Sequence, residues 1–128
     1  MTPRNPIVLI VDDNARNRKL ARDVLRPAGF EPLEAGTASE AIAAAVRHLP
    51  DVILMDLRLP DLDGAKAVAA LRAEQRTSGI PVVAMTALPL GDGADWLIDA
   101  GFAGSIAKPI DVDTLPDLVR KFAARNTE

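Results

Sequence analysis

Asp12, Asp13 and Asp56 are carboxylates placed directly after short apolar runs, Ile7-Val8-Leu9-Ile10-Val11 and Val52-Ile53-Leu54-Met55. A run without polar alternation reads as a strand buried on both faces, as in a parallel sheet. A charge is costly to bury unpaired, so each aspartate must lie at its strand's end, facing a partner or water. Two further runs share the design: Val82-Val83-Ala84-Met85 precedes Thr86, and Ser105-Ile106-Ala107 precedes Lys108. If the four strands are neighbours, three carboxylates, a hydroxyl and an ammonium converge at one edge. Three carboxylates in one crevice repel, so such a cluster calls for a cation. Hard oxygen donors suit Mg²⁺, and a carboxylate beside a cation and a lysine suits the acceptance of a phosphoryl group.

The elements that must position these residues alternate strand and helix throughout. The first strand spans about Ile7 to Val11 and the first helix about Ala15 to Pro27, with Leu20, Ala21, Val24, Leu25 and Ala28 at helical spacing. A short second strand near Pro32 to Ala35 precedes a capping box, Thr37-Ala38-Ser39-Glu40, and a helix ending near His48 before Pro50. The strand carrying Asp56 leads to the turn Pro60-Asp61-Leu62-Asp63-Gly64, where Asp63 can cap a third helix burying Ala67, Val68 and Leu71. A fourth helix is expected over about Ala94 to Ala100, with Leu97 and Ile98 facing in and Gly101 stopping it. The fifth strand lies near Gly104 to Ala107, and Asp113 can cap the last helix, which carries Leu115, Leu118, Val119 and Phe122. Strict alternation with right-handed crossovers predicts a doubly wound, flavodoxin-like α/β fold of five helices on a five-stranded parallel sheet, order 2-1-3-4-5. Asp12, Asp13 and Asp56 would then flank its switch point.

Composition narrows the function classes. The 128 residues suffice for one domain with its own core, expected over about 7–122. A hydrophobic content of 48% with 26% charged residues is globular. No apolar run nears the roughly 18 residues of a membrane helix, and residues 1–6 lack a signal peptide's apolar stretch. With no cysteine there is no thiolate metal site, thiol catalysis or disulfide, which fits a cytoplasmic protein. A net charge of −3 with three Phe, one Trp and no Tyr argues against a nucleic-acid-binding face.

Five motif pieces in order, Val11-Asp12-Asp13-Asn14, Met55-Asp56-Leu57-Arg58-Leu59-Pro60, Asp63-Gly64, Thr86-Ala87 and Lys108-Pro109, resemble the receiver domain of two-component response regulators. The resemblance runs from Ile7 to about Phe122. It implies that Asp56 is the phosphoacceptor and that Asp13 and Asp56 bind Mg²⁺ directly. Asp12 would act through a metal-bound water, and the backbone carbonyl of Arg58 would complete the protein ligands. Thr86 would bond one phosphoryl oxygen and Lys108 another, with the Lys108–Pro109 peptide cis. It further implies a histidine kinase or histidine phosphotransfer protein as donor. The expected output is a protein target met on the face of the fourth helix, fifth strand and fifth helix, with no nucleic acid and no membrane. The chain would catalyse its own phosphorylation and slow dephosphorylation without being a turnover enzyme. With no DNA-binding or enzymatic segment after the receiver, output is expected through contacts or from a domain outside these residues.

Taken singly, each residue has a plainer reading. Asp12-Asp13 could be an acidic turn with one residue capping the first helix, Lys108 a solvated lysine, and Thr86 a strand residue. Only their joint placement makes a site. Arg16, Arg18, Lys19, Arg22 and Arg26 on the first helix could form a docking face for the donor but read better as a solvated face. His48 reads as a surface residue at a helix end and Phe102 as a core plug, while Trp96 fits either core or surface. Ser105 holds the place where the family usually has an aromatic, which removes the usual ring from the signal readout. The signal is therefore expected to pass from Thr86 into Pro89-Leu90-Gly91-Asp92-Gly93 and the fourth helix. Arg58 and Leu88 occupy positions that tune phosphoryl-group lifetime in the family. The alternative from another class is a flavodoxin-like small-molecule binding domain. It lacks a Gly-rich phosphate loop and an aromatic pair for a flavin ring.

Overall fold

The structure, a computed structural model, describes residues 5–87 and 95–125. Segment Pro89–Gly93, together with Leu88 and Ala94, lies outside the described residues. Five parallel strands, β1 (Ile7–Val11), β2 (Glu31–Ala35), β3 (Val52–Asp56), β4 (Val82–Thr86) and β5 (Gly104–Ala107), form one sheet in the order β2-β1-β3-β4-β5. The helices are α1 (Ala15–Leu25), α2 (Ala38–His48), α3 (Gly64–Ala73), α4 (Asp95–Ala100) and α5 (Leu115–Arg125). This is the expected doubly wound fold. Every residue of β1, β3 and β4 is buried, which explains their unbroken apolar runs.

The two faces of the sheet carry separate cores. Leu9, Val11, Ile53, Met55, Val82 and Ala84 point into one, covered by α2, α3 and α4. Val8, Ile10, Leu54, Val83, Met85 and Ile106 point into the other, covered by α1 and α5. Helix α2 approaches closely because its inward residues are Ala38, Ala41 and Ala45. At the start of β5, a Cβ on Gly104 would stand 2.6 Å from the Phe122 ring, so α5 packs there only against glycine.

Helix ends follow local chemistry, with some departures from expectation. The Asn14 side chain caps α1 by accepting from the amides of Arg16 and Asn17, so neither Asp12 nor Asp13 is the cap. The helix stops at Leu25, short of Pro27, and Gly29 at φ 101° carries the chain on. Thr37 caps α2 as expected, while Glu40 reaches back to the amide of Gly36 at 2.8 Å instead of Thr37's own. Asp63 caps α3. Helix α4 ends at Gly101, φ 114°, where Phe102 N–H donates back to the Leu97 carbonyl at 3.0 Å. Leu97 is buried there, but Ile98 is 60% exposed, against expectation. Before α5, the Asp113 amide donates to Asp111 Oδ1 at 3.0 Å in the turn that leads into the helix at Leu115. Trp96 is surface-lying at 46% exposure, and Phe102 is core.

Candidate functional site

Strand register brings the site together. Val11 lies opposite Met55, so Asp12 comes level with Asp56. Asp56 lies opposite Met85, and Thr86 opposite Ala107, which sets Thr86 and Lys108 at the same end of the sheet. The Lys108 amide donates to the Thr86 carbonyl at 2.9 Å, and the Lys108–Pro109 peptide is cis. Asp13, Asp56, Arg58, Thr86 and Lys108 line a cavity of about 410 Å³.

The two neighbouring aspartates of β1's end differ sharply. Asp13 is exposed at the cavity mouth, whereas Asp12 is fully buried behind it. Asp12 Oδ1 accepts from the Asn14 amide at 2.9 Å. Its Oδ2 accepts from Lys108 Nζ at 2.9 Å and from Asn17 Nδ2 at 3.2 Å. Asp56 is 9% exposed. It accepts from the Arg58 amide on Oδ1 at 3.0 Å and from Lys108 Nζ on Oδ2 at 3.0 Å. One ammonium thus bridges two carboxylates. Burial alone would lower the Lys108 pKa, but the hydrogen bonds and charges of Asp12 and Asp56 outweigh it and raise it above the ordinary lysine value.

Oxygens of Asp12, Asp13 and Asp56 all lie within 4.8 Å of one another. Such close oxygen donors, with Asp13 and Asp56 lining the cavity, fit a hard divalent cation such as Mg²⁺. Arg58 borders the cavity, and its backbone amide meets Asp56 at 3.0 Å.

Other supports were not visible in the sequence. Arg18 Nη1 donates to the Asp12 carbonyl at 2.6 Å while its Nε holds Glu34 at 3.2 Å. Arg22 reaches the same Glu34 at 2.6 Å, and Lys19 pairs with Asp23. Two of the five residues of the expected solvated basic face, Arg18 and Arg22, are therefore bound to β2. Asp61 closes the loop after β3 by accepting from the amides of Ala38 and Ser39 at 2.8 and 3.0 Å. Those amides hold its carboxyl below the usual range. Gly64 lets α3 sit on the end of β3, since a Cβ there would meet the Leu57 Cα at 3.0 Å and the Asp56 carbonyl at 3.1 Å. Ser105 is half-buried on β5. His48 is exposed.

A five-stranded parallel sheet of this order, with an acidic cluster and a lysine beyond its carboxyl end, defines a flavodoxin-like domain with its site at the switch point. Residues 8–120 match the family model of the response regulator receiver domain, and the chain belongs to that family. It is 33% identical over 115 residues to the polar-differentiation response regulator DivK of Brucella ovis, covering 90% of this chain and 94% of that one. The chemotaxis response regulator CheY4 of Vibrio cholerae superposes with a TM-score of 0.86 at 27% identity, covering 91% of this chain and 98% of that one. The receiver domain of a Pseudomonas aeruginosa sensor histidine kinase, whose active-site cleft coordinates a magnesium ion, gives 0.84 at 30% identity, covering 94% and 98%. Family membership decides between the two sequence readings in favour of the receiver.

Proposed function

We propose that this receiver domain accepts a phosphoryl group on Asp56 from a histidine kinase or histidine phosphotransfer protein and signals through a changed protein contact. The observation that carries the reading is the Lys108 ammonium, shared between Asp12 and Asp56 at the wall of a cavity that Asp13 and Thr86 also line. An Asp56 oxygen attacks phosphorus in line. The new O–P bond forms as the donor's P–N bond breaks, and the leaving imidazole nitrogen keeps the electron pair. Lys108 meets the added negative charge as a compact point charge, and Thr86 bonds another phosphoryl oxygen. Asp13, Asp56 and the Arg58 carbonyl would hold Mg²⁺, with Asp12 behind them, and the bound ion would neutralise charge on the phosphoryl oxygens. The protein promotes its own phosphorylation and slow dephosphorylation and is not a turnover enzyme.

The downstream partner is a protein that meets the α4–β5–α5 face, where Trp96 and Ile98 lie exposed on α4. A cytoplasmic setting goes with this role; no described helix is long and apolar enough to cross a membrane. The test is incubation with a small acyl phosphate and Mg²⁺, followed by intact mass measurement. One labile adduct is expected, absent from Asp56→Asn. Wild-type uptake by that variant would remove Asp56 from the role.

A further inference from the structure

We propose that Asn17 is a positioning residue for phosphoryl transfer, keeping Asp12 partnered when Lys108 turns away from it. The inference rests on the phosphoacceptor reading above. The Asp12 side chain is 1% exposed, so protein donors must satisfy it. Its Oδ1 belongs to the Asn14 amide. Its Oδ2 is shared by two side chains of different kinds: Lys108 Nζ from β5's end at 2.9 Å and Asn17 Nδ2 from α1 at 3.2 Å.

These two donors behave differently once Asp56 is phosphorylated. Lys108 lines the cavity and is drawn to the new anionic oxygens there. Asn17 is not among the residues that line it. It stands in the first turn of a helix whose cap is Asn14 and whose next residue, Arg18, holds the Asp12 carbonyl. It therefore stays where it is. With Asn17 present, the departure of Lys108 leaves Oδ2 with a donor. Without it, a buried carboxylate oxygen loses its last protein partner, and Lys108 is held back in the unphosphorylated arrangement. The amide is also neutral. A cation at position 17 would satisfy Asp12 equally well but would cancel charge that the cluster needs for Mg²⁺.

The test compares wild type, Asn17→Leu and Asn17→Ser by calorimetric titration, first with Mg²⁺ alone and then with beryllium fluoride, a tetrahedral phosphoryl mimic, in excess Mg²⁺. Leucine keeps the shape without the donor; serine is short, avoids an apolar burden on the surface, and decides the matter if the leucine variant does not fold. Affinity for Mg²⁺ alone is expected to stay within about twofold, while the mimic binds about tenfold more weakly in both variants, the loss of one hydrogen bond to a charged group. In a Lys108→Ala background the same substitutions should cost nothing further, since Oδ2 then has the same partners with and without the mimic. Equal loss of Mg²⁺ and mimic affinity would overturn the proposal, because Asn17 would then merely prop the cluster. So would an unchanged mimic affinity, or a loss that persists without Lys108. If wild type itself binds neither probe, the phosphoacceptor reading falls and takes this inference with it. If wild type binds both and the variants match it, only the role of Asn17 falls.

Discussion

Helices α1 and α4 each follow a strand that ends in a site residue, yet they are held in opposite ways. Helix α1 is capped by Asn14, buries Ala21 and Leu25, ties Arg18 and Arg22 to Glu34, and grips Asp12 through side chain and carbonyl. Helix α4 has six residues, buries Leu97, and leaves Trp96 and Ile98 in solvent. Its fixed point is at the far end. There Arg72 donates to the Gly101 carbonyl through Nε and Nη2 at 3.2 and 2.9 Å, and to the Ile80 carbonyl through Nη1 at 2.7 Å. The site is thus anchored on the α1 side, whereas among the described residues the tether of α4 is at its C-terminal end. Elements with little buried apolar surface open at low cost, and they are the ones that switches draw upon.

The contrast can be broken most directly in the core. Leu25→Ala should lower global unfolding stability by about 3 kcal/mol, whereas Leu97→Ala should cost about 1 kcal/mol globally, because α4 opens before the rest unfolds. Denaturant melts that give equal losses would erase the distinction. Arg72→Met should cost about 2 kcal/mol, since its half-buried guanidinium serves backbone carbonyls at several points, and should speed hydrogen exchange over 95–101. Unchanged exchange there would show that the tether lies elsewhere. On the α1 side, Arg22→Gln breaks a partly exposed ion pair and should cost only about 0.5 kcal/mol, less in high salt.

Alkaline pH sharpens the picture at the site itself. A raised lysine pKa stabilises the fold fully below the unfolded value of 10.5, and that contribution is lost as pH rises through the folded value. The stability gap between wild type and Lys108→Met should therefore be flat up to about pH 10 and shrink above it. A gap that widened with pH would contradict the bridging role of Lys108. The smallest effect belongs to Trp96. Its emission should shift when Mg²⁺ and beryllium fluoride are added; a silent tryptophan alongside a switching partner would place the moving element elsewhere.

Strand order and the four strand-end residues were legible in the sequence because an apolar run ending in a polar side chain encodes both burial and exit. What stayed hidden depends on which neighbour a loop residue meets. Asp61 and Asp63 stand two apart in one turn, yet they cap different helices, α2 and α3. Asp111 and Asp113 both stand before α5, and only the fold shows that the Asp111 carboxylate takes the Asp113 amide. Leu97 and Ile98 are adjacent, about 100° apart around a helix, and only the packing of α4 shows that Leu97 turns to the core and Ile98 to solvent. Asn17 and Arg72 make their contacts with groups on other elements, such as Asp12 and Gly101, and no periodicity signals those.

Lys108 meets Asp12 across 96 positions of sequence and Asp56 across 52. It stands just beyond β5, the outermost strand on its side of the sheet. The elements before β5 supply all three aspartates and Thr86, but not the ammonium that bridges Asp12 and Asp56. On the proposed reading, the acceptor carboxylate and the ammonium that answers it are delivered by strands far apart in sequence, so the site exists only once the edge strand has docked on the sheet.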